Sequence, residues 1–239
     1  MAFFWNWKRG VSMKKRYLAI AVSIFFLNVG FTHSYMKDHA SAVNSFSFIG
    51  ENGIAAVLTE PSWNPENAKS VLPGTKIPKD PCVTNTSQSD IDELVALRVE
   101  FLYSSGYPEK EKRGQLLSEE DMDKVSTVFQ IDYDADQSGN WVRFEQENEK
   151  NPVQHFYYDQ VLKRNYPQAG DITAPLFQNV TVDALCGNEA FADIQKKHGF
   201  DIRITGCVLQ QMQGEQQYGL NSAKAAYEAG LFSFLNQEK

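Results

Sequence analysis

The 239 residues hold only three cysteines, Cys82, Cys186 and Cys207, and four histidines, His33, His39, His155 and His198. Three thiols allow at most one internal disulfide, which excludes a fold built on disulfides. The histidines are scattered and no His-Glu-x-x-His spacing occurs, so the helix-borne pair of zinc ligands with its general base is missing. His155 falls in an extended stretch and His198 at the C-terminal end of a helical one, where the helix dipole favours positive charge, so both read as structural or solvent-facing. Neither Gly-x-Ser-x-Gly nor a P-loop is present, and no histidine adjoins Cys186 or Cys207 in sequence. Nothing here argues for an enzyme or a cofactor. Basic residues are scarce as well, 23 against 30 acidic ones, and neither a repeat period nor a low-complexity tract appears.

The one long apolar run lies near the start. Lys14, Lys15 and Arg16 form a positive region, Tyr17 to Phe31 an apolar stretch of 15 residues, and Thr32-His33-Ser34 places small residues where a signal peptidase reads. We expect cleavage between Ser34 and Tyr35. The competing reading is a retained membrane anchor, but a spanning helix needs about 20 apolar residues and this run also carries Asn28 and Gly30. Met13 offers a second start, from which a conventional positive region would begin at once. Loss of residues 1–34 removes Lys8, Arg9, Lys14, Lys15 and Arg16 and no acid, taking the formal net charge from −7 to −12. So acidic a chain has no electrostatic reason to seek nucleic acid or an anionic membrane surface. The remaining 205 residues (35–239) suit a single domain, since no long linker divides them.

Along that domain the pattern is of short strands and polar turns. Asn44, Phe46 and Phe48 mark an alternating strand with no evident hairpin partner upstream, and Ile54 to Thr59 continues as a second extended run until Pro61. Trp63 to Lys69 reads as a polar loop or short helix, and Leu72 to Thr75 as a Pro-Gly turn. Lys79 to Thr86 reads as a strand in which Pro81 must sit at the start or at an edge, because it cannot donate to a ladder. Leu94 to Tyr103 alternates most clearly, with Val95, Leu97, Val99, Phe101 and Tyr103 on one face and Arg98 and Glu100 on the other, as in a half-buried antiparallel strand. Ser118 to Asp121 opens a helix with acids at its N-terminal dipole. Val128 to Tyr133 and Trp141 to Glu145 read as a hairpin, followed by strands at Val153 to Leu162 and Gln178 to Asp183. Asn188 caps a helix that Gly199 stops. Phe200 to Leu209 alternates again, with Phe200, Ile202, Ile204 and Val208 opposite Asp201, Arg203 and Cys207, and Asn221 to Ala229 forms a last Ala-rich helix. Eight or nine strands with few helices predict an all-β fold, a jelly-roll-like antiparallel sandwich of two sheets.

Asp132, Asp134 and Asp136 alternate like the start of a calcium loop. However, Gln137 and Arg143 stand where an EF-hand needs glycine and glutamate, so a polar turn is the better reading and a weak calcium loop the lesser one. Asn85-Thr86-Ser87 and Asn179-Val180-Thr181 fit the glycosylation pattern formally, which matters only in a eukaryotic secretory pathway. Cys186 and Cys207 could pair across the helix between them, or all three thiols could be inert.

Ser34 to Gly50 (SYMKDHASAVNSFSFIG) resembles the segment that follows the signal in the TasA/camelysin group of Gram-positive exported proteins. Ile54 to Pro61 with Trp63, Pro73-Gly74, Lys79 to Thr86 (KDPCVTNT), the strand around Leu97 to Val99, Phe156 to Tyr158 with Leu162, Pro175 to Phe177 with Val180, and Gly199 to Ile202 extend the likeness over most of the chain. Cys82, Cys207 and the aromatic stretch before Met13 depart from the group's pattern, and the two cysteines leave intrachain and intersubunit sulfur bonding both open.

The resemblance implies export, processing by a SipW-type signal peptidase, and a jelly-roll subunit of a biofilm-matrix or cell-surface fibre. Its partners would be further copies of itself, joined head to tail, together with other matrix or cell-wall components. In that assembly the strand freed by cleavage, Tyr35 to Phe48 and centred on Asn44, Phe46 and Phe48, enters the sheet of the next subunit. A strand without a local partner fits this role, and a contact that does not close yields filaments. The alternatives are a camelysin-like surface metalloprotease, which the missing zinc motif disfavours, and a monomeric cell-surface binding module.

Overall fold

The computed structural model describes residues 46–49, 54–68, 71–133, 140–144, 150–211 and 221–232, all within one unit, His33–Lys239. The expected export signal, Ser34, Tyr35, Asn44, Asp134 and Asp136 lie outside the described residues. Among the described residues there are ten strands: β1 Phe46–Ile49, β2 Ala55–Thr59, β3 Lys76–Pro78, β4 Cys82–Asn85, β5 Glu93–Tyr103, β6 Phe129–Ile131, β7 Trp141–Arg143, β8 Val153–Tyr158, β9 Asn179–Val182 and β10 Phe200–Gln210. The α-helices are α1 Glu119–Val128, α2 Asn188–Lys196 and α3 Ala223–Glu228. The expected all-β class holds, and every strand pairing is antiparallel.

The strands form ladders in the orders β1-β2-β4, β3-β9-β6 and β10-β5-β8-β7. Segment 172–178 joins the first two. It bonds to β4 through Thr173 N–H to the Val83 carbonyl, and to the chain leaving β3 through Lys79 N–H to the Gln178 carbonyl. Together they face the four-stranded sheet as the second layer of a sandwich.

The alternation of β5 dictates the core. Val95, Leu97, Val99, Phe101 and Tyr103 pack between the layers with Phe200, Ile202 and Ile204 of β10, Phe156 of β8, Leu58 of β2, Val83 of β4, and Val180 and Val182 of β9. Each such side chain contributes about 1.5–3 kcal/mol by leaving water. The opposite face was expected to meet solvent, and it does not. Leu94, Ala96, Tyr157 and Cys207 are covered there by Ala223, Ala226 and Tyr227 of α3 and by Phe232 beyond it. Further along this face Glu100 is buried between Arg98 (3.0 Å) and Arg203 (2.5 Å), so its charge is paired rather than solvated.

Two other expectations change. β6 and β7 are not a hairpin, since β6 pairs with β9 and β7 with β8. The two strands therefore belong to different ladders; adjacency in sequence had suggested a pairing that the sheet order overrides. Helix α2 is capped by Gly187 rather than Asn188, while Ser118 caps α1 as expected by accepting the Asp121 N–H at 3.2 Å. His198 (φ 64°) and Gly199 (φ 70°) together turn the chain out of α2 and into β10. No helix among the described residues is long and apolar enough to cross a membrane.

Candidate functional site

The strand expected to lack a local partner has one. β1 pairs with β2, the next strand in the chain, in the register Phe46↔Leu58, Ser47↔Val57, Phe48↔Ala56 and Ile49↔Ala55. The turn predicted at Gly50 to Asn52 lies outside the described residues. β1 is an edge strand, with β2 on one side and no ladder on the other among the described residues. Opposite Phe46 and Phe48 stand Leu58 and Ala56, the two buried residues of β2, whereas Val57 opposite Ser47 is half-buried.

β2 itself is fixed at both ends by polar groups from elsewhere in the fold. Beyond its C-terminal end, Glu60 meets Lys79 at 2.6 Å, with side chains 3% and 0% exposed. The Lys79 ammonium also lies 4.8 Å from the centre of the Trp63 ring. Burial pulls the Lys79 pKa below its usual value, and the adjacent Glu60 and Asp80 charges counter it only in part. Asp80 accepts from both the N–H and the Oγ of Ser62 at 2.7 Å, which fastens the outgoing loop.

At the N-terminal end of β2, Ala55 N–H donates to Ser87 Oγ (3.0 Å) and Ser87 Oγ donates to Glu93 Oε1 (2.8 Å). Thr86 N–H donates to the Ala55 carbonyl at 2.8 Å. Asn85, 1% exposed, donates through Nδ2 to the carbonyls of Ile91 (2.8 Å) and Leu162 (3.0 Å), and accepts the Ser87 N–H at 3.0 Å. Arg164 closes the cluster by donating to the Ser87 carbonyl. Glu93 is wholly buried, and its Oε2 has no hydrogen-bond partner among the described residues. Burial pushes this carboxyl up to about 7, against the lowering effects of the Ser87 hydroxyl, the Ala55 amide and Arg164. A group so shifted marks a place where protonation is coupled to structure.

The other site candidates are not assembled. Asp132 is exposed just after β6, and no group of three or more histidine, cysteine or acidic side chains is placed to hold a metal among the described residues. No disulfide joins any two of Cys82, Cys186 and Cys207. Cys207 packs under α3, on the far side of the four-stranded sheet from the core against which Cys186 lies, so these two do not pair. His155 is buried in β8, not solvent-facing. The amide of Asn85 is consumed in the cluster, which removes it as a glycosylation acceptor in the folded chain.

Sequence reading missed this cluster. Glu93 extends the core-facing parity of Val95 and Leu97 by one step, so an acid on an apolar face was the available signal. Lys79 and Glu60 gave none, because loop charges usually read as solvated. Comparison with protein-family models, with curated proteins and with solved structures returns no match to this chain.

Proposed function

We propose that this chain is an exported, non-catalytic structural subunit of an extracellular or cell-surface fibre, assembling head to tail by donation of its N-terminal strand into the jelly-roll-like sandwich of the next copy. The observation that carries the reading is the asymmetry between β1 and β2. β1 is a four-residue edge strand near the start of the expected mature chain, whereas β2 is held by the β4 ladder, the Glu60–Lys79 pair and the Ala55–Ser87–Glu93 relay. Removing β1 leaves an edge that the rest of the fold keeps in place, with Ala56 and Leu58 beneath it. An equivalent β1 from another copy satisfies the same ladder in the same register, which makes the exchange a domain swap at little enthalpic cost. The subunit is then expected to be secreted after cleavage between Ser34 and Tyr35 and to partner chiefly with itself.

The test is electron microscopy of residues 35–239 beside a chain beginning at Ile49, incubated identically. Fibres from the first and none from the second support strand donation. If the longer chain stays monomeric under all conditions, a monomeric binding module becomes the better reading. Stoichiometric zinc with chelator-sensitive cleavage of casein would favour the metalloprotease instead.

A further inference from the structure

Glu93 lies where a buried acid has no structural advantage over a glutamine. It shares the inward face of β5 with Val95 and is fully buried. One oxygen accepts from Ser87 and the other meets no donor among the described residues. Through Ser87 it is two hydrogen bonds from the amide of Ala55, whose ladder partner is Ile49, the last residue of β1. The surroundings balance a negative charge poorly. β2 and β4 bring no charged residue, and β10 places Gln210 opposite. Of the nearby acids, Asp90 is engaged by the Tyr166 amide and Asp92 by the Arg164 amide. Lys163 and Asp171 meet each other through the Lys163 amide. Among the described residues the cation acting on the carboxyl is Arg164, whose Nε is already committed to the Ser87 carbonyl, and the Ala55 amide also favours the ionised form.

We propose that Glu93 is a proton-controlled latch on the β1–β2 hairpin, closed when the carboxyl is neutral and released when it ionises. A proton removes the charge that Oε2 has no donor to balance, and the Ala55–Ser87–Glu93 relay stays dry. Ionisation puts a carboxylate in a site where the Ser87 hydroxyl, the Ala55 amide and Arg164 offset burial only in part, and the shortest way to admit water is to part the hairpin root from Ser87. The direction follows from linkage. The closed form holds its proton up to about pH 7, while an opened, hydrated carboxyl titrates near its ordinary value of 4.5. The advantage of the closed form is therefore complete below pH 4.5, is lost as pH rises through about 7, and changes no further above that. In terms of the fibre reading, on which this role in assembly rests, β1 is retained in acid and released for exchange at neutral to alkaline pH.

The experiment is hydrogen exchange at the Ala55 and Thr86 amides of residues 35–239, corrected for intrinsic base catalysis, in the native sequence and in Glu93→Gln. The opening constant of the native chain is expected to rise by at least about tenfold from pH 5 to pH 8 and then level off, while Glu93→Gln shows no such rise. A pH-independent opening constant in the native chain, or an equal rise in Glu93→Gln, overturns the latch. Should Glu93→Gln not fold, the Glu93 carboxyl is titrated directly by carbon NMR in the native chain, and a midpoint at or below 4.5 overturns it equally. Because hairpin opening is measured without fibres, a working latch on a chain that never polymerises would remove the assembly reading and leave the latch standing.

Discussion

Lys79 Nζ and Glu60 Oε1 lie 2.6 Å apart with neither side chain reaching solvent, and between them they join the end of β2 to the chain entering β4. The pair is an expensive way to make that connection. Two ions leave water, and their mutual attraction, the Asp80 charge and the Trp63 face offset that cost.

Breaking the pair from one side should therefore be severe. Glu60→Gln or Lys79→Met is expected to cost about 3–5 kcal/mol in urea unfolding, because each leaves a buried group without its counter-charge. Replacing both, Glu60→Leu with Lys79→Met, is expected to recover most of that loss. Equal stability of the single variants and the native chain would show that the pair is hydrated in solution.

Two glycines should respond with opposite signs. A Cβ on Gly170 would stand 2.1 Å from the Asn85 carbonyl oxygen, backbone that cannot yield without disturbing the amide bonds of Asn85. Gly170→Ala is expected to destabilise by roughly 1–3 kcal/mol. Gly187, at the N-cap of α2, has open space around it and no side-chain cap, so Gly187→Ser should stabilise by a few tenths of a kcal/mol, about the worth of a hydroxyl there. Thermal unfolding of the two variants side by side decides both.

Tyr103 links β5 to α1 by donating its hydroxyl to Asp121 at 2.7 Å. Burial opposes ionisation of Asp121, but hydrogen bonds from Tyr103 and Ser118 and the charges of Lys197 and Lys124 outweigh it and hold the carboxyl below its ordinary 3.8. Its contribution to stability is thus present above that value and lost as pH falls through the lowered one. Tyr103→Phe is expected to cost about 1–2 kcal/mol near neutrality and to raise the Asp121 midpoint, both measurable by urea unfolding and carboxyl NMR. An unchanged midpoint would show that Ser118 and the lysines suffice.

How far the sequence could be read follows from the range of each signal. β5 and β10 were legible nearly to the residue because their positions alternate and, apart from Glu93 at the start of β5 and Gln210 at the end of β10, the inward ones carry no polar side chain, and α1 because Ser118 precedes three acids. The β1–β2 hairpin was missed although both strands and the turn between them were recognised, since strand pairing is a relation that no single stretch encodes. The same limit made a hairpin of β6 and β7, whose partners are 50 and 15 residues further along. Arg98 and Glu100 suggested a wet outer face, and only the docking of α3 reveals it as dry. The Ser87–Glu93 relay and the Glu60–Lys79 pair draw on three loops apart in sequence, so they become visible only when the layers close.

The central claim, that β1 leaves β2 of its own chain to pair with β2 of another, is tested most directly by tying it down. Ser47 and Val57 stand opposite each other in the ladder, with Val57 on the outer, half-buried side. In residues 35–239 carrying Ser47→Cys and Val57→Cys, oxidation should hold β1 at home. Electron microscopy is expected to show monomers while the bond is intact and fibres once a reductant is added, with the native sequence forming fibres throughout. Fibres from the oxidised, internally bonded protein would contradict the exchange of β1 and the assembly built on it.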